Sequence, residues 1–214
     1  MSKAKFMAMI AVLVLIAGVA AAQTLQGVGG NATPIKENPE ATEQLFRGDL
    51  GPEFGIGCSN GSGTSGGPND LAVGVTASLA PPFWIIQTTY NVFTNIGPGT
   101  LNFVAWAGGG SPGAVIGMQT GVPDSQANHT APISPAINVT TPQFFFGLNQ
   151  PEVNAGLRIG VDSGSGGGFS FIRAPTCGAG GFITLTSVGF PGNWVMAAVI
   201  DDMVPVELMS YDVD

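Results

Sequence analysis

The clearest strand signal in the chain is the stretch Leu157-Arg158-Ile159-Gly160-Val161-Asp162. Apolar side chains alternate here with Arg158, Gly160 and Asp162, so an extended strand would have one apolar face. A similar period of two recurs at residues 71–75, 84–92 and 101–106, and further short strand-like segments lie at residues 114–119, 137–139, 144–146, 168–174, 182–188 and 194–200. The pattern predicts about ten short strands.

Glycine, proline and asparagine turns separate these segments, and no long amphipathic helix interrupts them. Parallel strands need long crossovers that are usually helical, so the sheets are expected to be mainly antiparallel. We therefore predict an all-β fold, an antiparallel two-sheet β-sandwich with jelly-roll-like connections. Trp84 and Trp194 belong to the apolar sets of their strands, which predicts that both lie in the core.

The first 22 residues have the composition of an export signal. Lys3 and Lys5 precede an uncharged run at residues 6–22 that ends in small side chains, which predicts signal-peptide cleavage between Ala22 and Gln23. An uncleaved membrane anchor is the alternative, although the run is slightly short for a span of ~20 residues. The mature chain is therefore predicted to be secreted, and either extracellular or at the cell surface.

The composition divides the mature chain into three parts. Residues 23–69 form a polar N-terminal arm that ends in a Gly/Ser-rich linker, and residues 41–47 favour a short helix within it. The β-sandwich domain is expected at residues 70–202, and a short tail at residues 203–214.

The charge balance excludes several classes of partner. The chain has six basic and fourteen acidic residues, and cleavage would remove two of the lysines, which leaves a net charge of −10. Nucleic acids and anionic membranes demand lysine and arginine, so neither is expected as a partner. The low charged fraction of 9% and the 33 glycines favour an extracellular β-protein over a cytosolic enzyme.

Cys58 and Cys177 are the two cysteines of the chain. An even count in an exported protein predicts one disulfide bond, which would close a long loop and tie the start of the domain to its late part. Two unpaired thiols are the alternative.

Two segments carry a resemblance to a known class of domain. Residues 100–117 join two short strands through a glycine turn and Pro-Gly, and residues 192–200 form a tryptophan-bearing last strand. This pattern resembles uncharacterised β-sandwich accessory domains of large bacterial secreted proteins, over about residues 70–200. A trailing Pro-Val-Glu-Leu segment at residues 205–208 resembles one that often follows such domains. The resemblance implies a non-catalytic module.

The residues needed for common catalytic sites are scarce. His129 is the one histidine of the chain, and no Gly-x-Ser-x-Gly sequence supplies a nucleophile for a serine triad. We interpret His129 as a solvated loop residue and predict that the protein is not an enzyme. A carboxylate-based glycoside hydrolase is the less favoured alternative, because folding could bring acidic residues together across a cleft.

Calcium is the one cofactor that the sequence suggests. Asp162 begins a Ser/Gly-rich loop rich in carbonyl groups, and Asp70 follows Asn69. Calcium takes 6–8 oxygen ligands, so Asp162 and Asp70 are candidate metal ligands. A flexible turn that contains a helpful aspartate is the alternative interpretation.

A binding site for glycan is predicted around Trp106. This residue shares a strand face with Asn102, opposite Leu101 and Phe103, which favours an outward orientation. An exposed indole could stack on a sugar ring, and Asn102 and Asp162 could hydrogen-bond its hydroxyl groups. Packing of Trp106 under a loop is the alternative.

Together these features predict a secreted, non-catalytic adhesion or binding module. Its partner would be a glycan or another extracellular protein. The alternative is a purely structural subunit of the extracellular matrix or envelope, whose exposed sheet edges join neighbours.

Overall fold

The computed structural model describes residues 43–47, 50–58, 68–95, 99–151, 157–164 and 167–202. The predicted signal peptide with its cleavage site at Ala22 and Gln23, most of the Gly/Ser-rich linker and the tail after residue 202 lie outside these ranges. Within them the chain forms thirteen strands and two short 3-10 turns. No helix in this part of the chain has the length and apolar character needed to cross a membrane.

The strands are β1 (Glu43–Phe46), β2 (Phe54–Ile56), β3 (Asn69–Thr76), β4 (Phe83–Thr94), β5 (Leu101–Ala107), β6 (Val115–Val122), β7 (Ala127–Val139), β8 (Gln143–Gln150), β9 (Arg158–Asp162), β10 (Ser170–Ala174), β11 (Ala179–Thr184), β12 (Asn193–Trp194) and β13 (Met196–Asp201).

Two antiparallel sheets pack face to face. One has the order β1-β13-β4-β9-β12, with β2 also on β9 and β7 on β4, and the other has the order β11-β10-β3-β8-β5-β6. The chain crosses repeatedly from one sheet to the other, since β3, β5, β8 and β10 belong to the six-stranded sheet and β4, β7 and β9 to its partner. The all-β two-sheet sandwich is confirmed, with thirteen strands where about ten were expected.

The core lies between the two sheets and is built from the inward side chains of both. Phe83, Phe103, Phe146 and Trp194 are fully buried there, and the indole nitrogen of Trp194 donates a hydrogen bond of 2.9 Å to the carbonyl oxygen of Phe171. The core position predicted for Trp194 is confirmed.

The prediction of a short helix at residues 41–47 is wrong. Glu43–Phe46 is a strand that pairs antiparallel with β13, and it buries Leu45 in the core. The carboxylate of Glu43 accepts hydrogen bonds from the backbone amides of Ser78 and Leu79. Strand pairing and burial therefore override the local helix propensity of this segment.

The core position predicted for Trp84 is also wrong, because Trp84 is half-buried whereas its neighbours Phe83 and Ile85 face the core. Along β13, Val199 pairs with Gln87, and the next residue, Ile200, pairs with Ile85. Ile86 is therefore an extra residue of β4 with no partner on β13. Such a β-bulge exchanges the faces to which alternate residues point. Farther along the strand, the expected residues again reach the core.

The disulfide bond between Cys58 and Cys177 is confirmed, with Cα atoms 5.9 Å apart. Cys58 follows β2 of the seven-stranded sheet, and Cys177 ends the 3-10 turn Pro175–Cys177 between two strands of the six-stranded sheet. The bond therefore joins the two layers of the sandwich. Cys58 is buried, whereas Cys177 is exposed.

Candidate functional site

The outer face of the six-stranded sheet carries a second apolar cluster, separate from the core. We call it the outer aromatic cluster; it consists of Ala72, Val104, Trp106, Phe145 and Phe171, with Phe182 packed against it. Phe145 meets Phe171 edge to face at 5.4 Å, and Trp106 meets Phe182 in the same manner at 5.6 Å. These are favourable geometries for aromatic pairs.

Trp106 lies on the face predicted for it but is not exposed. Only 2% of its surface is accessible, because Phe182 of β11 and its neighbours on the sheet cover the indole ring. The expectation of an exposed indole is therefore corrected in favour of the alternative, packing beneath another segment. In this structure Trp106 cannot stack on a sugar.

Asn102 and Asp70 belong to a ladder of polar side chains on the same outer face. Arg173 contacts the Oδ2 atom of Asp70 through Nη2 at 2.5 Å and Nε at 2.7 Å. Asn149 donates to Oδ1 of Asp70 at 2.8 Å and accepts from Asn102 at 3.1 Å, and the backbone amide of Gly121 donates to Asn102. Both Asp70 oxygens thus have partners, as has the Asn102 amide.

Asp162 lies on β9 of the opposite sheet, where its side chain is buried and its Oδ1 atom accepts a hydrogen bond of 2.7 Å from the amide of Gly164. The fold therefore does not bring Asp162 together with Asp70, or with Trp106 and Asn102. Within the described part of the chain, no group of three or more His, Cys, Asp or Glu side chains is placed to hold a metal ion.

His129 lies on β7 rather than in the expected loop, and its ring packs 5.4 Å from that of Tyr90. Its Nε2 atom is 2.6 Å from the carbonyl oxygen of Ser125. A carbonyl can only accept, so this nitrogen carries the proton and cannot deprotonate the Ser125 hydroxyl 3.5 Å away. Ser125 and His129 therefore do not form a serine–histidine catalytic pair. Burial, and secondarily the carboxylate of Asp124, raise the pKa of the neighbouring Tyr90.

An open cleft lies beside the outer aromatic cluster, with a volume of about 190 Å³. We call it the Arg47–Phe169 cleft. Its walls combine phenylalanine rings, one cation, one amide side chain and several glycines: Phe144, Phe145, Phe169, Phe171, Arg47, Gln143, Gly74, Gly109, Gly110 and Gly168. Val75 and Thr76 complete the lining.

Arg47 and Phe169 define the mouth of this cleft. The guanidinium carbon of Arg47 lies 4.1 Å from the centre of the Phe169 ring, and its Nε atom donates a hydrogen bond of 3.0 Å to the carbonyl oxygen of Gly74. Phe169 is 51% exposed. The cleft thus offers an accessible aromatic ring next to a positioned cation.

Two glycines allow this arrangement. A Cβ atom on Gly74 would come within 2.7 Å of the Phe145 ring, so glycine lets this ring lie close against β3. Gly168 has a φ of +132°, which non-glycine residues rarely adopt, and it immediately precedes Phe169. The carbonyl oxygen of Phe169 then accepts a hydrogen bond of 2.7 Å from the amide of Gly74, which fixes the start of β10 against β3.

Sequence reasoning missed both residues. Arg47 lies in the segment expected to be a polar N-terminal arm, and Phe169 follows the Ser/Gly-rich loop for which a calcium site and a flexible turn were the two interpretations. One signal pointed to Phe169: it lies two positions before Phe171 in the strand predicted at residues 168–174, and residues two apart in a strand point to the same face. No comparable signal pointed to Arg47.

Comparison with known proteins gives little further guidance. No family model and no curated protein matches the sequence. One matching solved structure contains the cysteine protease and lectin-like domains of Cwp84, a surface layer associated protein of Clostridium difficile. The TM-score is 0.48 at 10% identity, and the match covers 65% of this chain and 34% of that one. This chain thus spans 34% of its length. Similarity at this level assigns neither a family nor a function.

Proposed function

We propose that this protein is an extracellular, non-catalytic β-sandwich module that binds a saccharide in the Arg47–Phe169 cleft. The observation that carries the proposal is the half-exposed ring of Phe169, which lies beside the guanidinium group of Arg47 in a cleft lined by several glycines. The disulfide bond supports an extracellular location, because such bonds persist outside the reducing cytosol.

The chemistry of the cleft suits a small polar ligand with an apolar face. Binding sites are typically concave and mostly apolar, with a few polar groups that orient the ligand. A sugar ring presents C–H groups that can lie against Phe169, while its hydroxyl groups can hydrogen-bond Arg47 and Gln143. The glycines leave backbone groups approachable, since Gly110 has no atom within 4 Å of the place where a Cβ would be.

A saccharide array with the mature chain, read in calcium and again in chelator, tests the proposal. Replacing Phe169 with alanine is expected to weaken binding of any hit by tenfold or more, because the stacking surface is lost. Phe190→Ala is the matched control, since Phe190 is 43% exposed and packs near Phe54 of the opposite sheet instead. Equal losses in both variants, or no hit in either condition, would contradict the proposal.

A second candidate function, a structural subunit, is favoured by strand β6. This strand forms one edge of the six-stranded sheet and exposes 59% of Val115 and 54% of Met118. Its eight residues include no charged or proline side chain, whereas proteins usually protect sheet edges with such residues. In a chain with a formal net charge of −8, an uncharged edge is a place where two copies can meet without repulsion between carboxylates.

In this role the partner is a second copy of this chain, paired antiparallel along β6. Sedimentation velocity over a range of concentrations should then show a monomer–dimer equilibrium, which Met118→Lys should abolish. Thr120→Lys, on the same exposed strand but toward its other end, should weaken the dimer less than Met118→Lys does. Concentration-independent monomers would exclude this candidate and leave the saccharide proposal unaffected.

A further inference from the structure

Arg47 stands out among the basic residues of the chain. The predicted mature protein has four basic and fourteen acidic residues. Arg173 forms an ion pair with Asp70, and Arg158 is exposed on the opposite sheet. Arg47 is half-buried in the wall of a cleft, and in the described ranges no acidic side chain forms an ion pair with it.

The contacts of Arg47 hold its side chain but leave donors available. Within the described residues, Nε bonds to the carbonyl oxygen of Gly74 and the guanidinium plane lies against Phe169. The two terminal nitrogens are thus left as a pair of donors at the end of a positioned side chain. A guanidinium fork of this kind matches the two oxygens of a carboxylate, which it binds through two parallel hydrogen bonds.

We propose that the ligand of the Arg47–Phe169 cleft is an acidic saccharide whose carboxylate pairs with Arg47. This inference rests on the proposed function and names its ligand class. The sugar ring lies against Phe169, and the carboxylate reaches the terminal nitrogens of Arg47. The ligand thus supplies the counter-charge that the described part of the chain does not.

The negative charge of the protein does not prevent this pairing. At physiological ionic strength, charges farther away than about 8 Å are largely screened, so the nearest cation governs the local potential. The partial burial of Arg47 also strengthens its interaction with an anion relative to a fully solvated pair. Binding is expected to weaken as salt is added, as for other ion pairs at a protein surface.

Matched pairs of monosaccharides test the inference, with glucuronate against glucose and galacturonate against galactose, titrated calorimetrically into the full mature chain. In at least one pair, the uronate is expected to bind about tenfold to a hundredfold more tightly than the hexose. Arg47→Gln should abolish the preference for the acid, so that the uronate and the hexose of a pair bind with equal affinity. Arg47→Lys, which keeps the charge but loses the fork, should give an intermediate value.

Arg158→Gln is the control, because it removes the same charge from an exposed site on the opposite sheet and should leave uronate affinity unchanged. Equal affinities for uronate and hexose would overturn the carboxylate inference while leaving saccharide binding intact. No binding of any sugar, here or on the array, would refute both. Near-ultraviolet circular dichroism checks that each variant is folded, and Arg47→Lys decides the matter if Arg47→Gln does not fold.

Discussion

Replacement of both Cys58 and Cys177 with alanine should remove a large part of the stability of this sandwich. The bond joins the chain after β2 in one sheet to the turn after β10 in the other, and it spans a sequence separation of 119. It therefore restricts the unfolded chain much more than a local cross-link would.

The chain-entropy relation, applied to a loop of this length, gives a stabilisation of about 5 kcal/mol at 25 °C. Domains of ordinary size unfold with a free energy of about 5–15 kcal/mol, so the double variant is expected to be marginally stable. The unfolded variant also exposes more surface than the cross-linked chain, which should increase the denaturant dependence of its unfolding free energy.

Urea unfolding followed by tryptophan fluorescence measures this change, since Trp106 and Trp194 are buried in the folded state. Reductant should destabilise the wild-type protein, because Cys177 is exposed, and it should leave the double variant unchanged. A difference in unfolding free energy below about 1 kcal/mol between wild type and variant would refute the reasoning, because loss of a native disulfide typically costs about 2–5 kcal/mol.

Three further predictions concern the outer face and the Tyr90 region. Trp106→Ala should lower the unfolding free energy by about 3–5 kcal/mol, and Trp106→Phe by less, in chemical denaturation; a negligible loss would mean that packing is not its role. Gly74→Ala should cost about 1–3 kcal/mol in the same assay, because the new methyl group collides with Phe145. The raised pKa of Tyr90 means that its contribution to stability is fully present below pH 10, the unfolded value, and is lost as pH rises toward the higher folded value. Ultraviolet titration of wild type and Tyr90→Phe should show that this phenol ionises above pH 10, and ionisation at the ordinary value would contradict the structure.

The strand content of the protein was predictable because alternation of apolar and polar residues is a local property. The alternation at residues 157–162 predicts a strand with one buried face, and β9 is that strand. The prediction was wrong where the local rule is interrupted: the bulge in β4 exchanges its faces, so Trp84 leaves the core. Only pairing with the neighbouring strands β13 and β7 reveals the extra residue.

The candidate site was much less predictable than the fold. Trp106 and Asn102 were assigned correctly to one outer face, because parity within a strand is local. Their burial depends on Phe182 and Asn149, which reach them from other strands. A residue's own sequence neighbourhood does not show which distant segment covers it.

The sequence by itself determined the class of the fold, the disulfide pairing and the face to which Trp106 belongs, because strand period and cysteine count need no long-range information. Tertiary structure alone decided that Asp70 forms an ion pair with Arg173, that Asp162 lies in the opposite sheet, and that Arg47 contacts Phe169. Arg47 and Phe169 are more than a hundred positions apart in the chain. Their contact exists because β1 pairs with β13 in one sheet while β10 pairs with β3 in the other, and such register between distant strands is set by the packing of the whole sandwich.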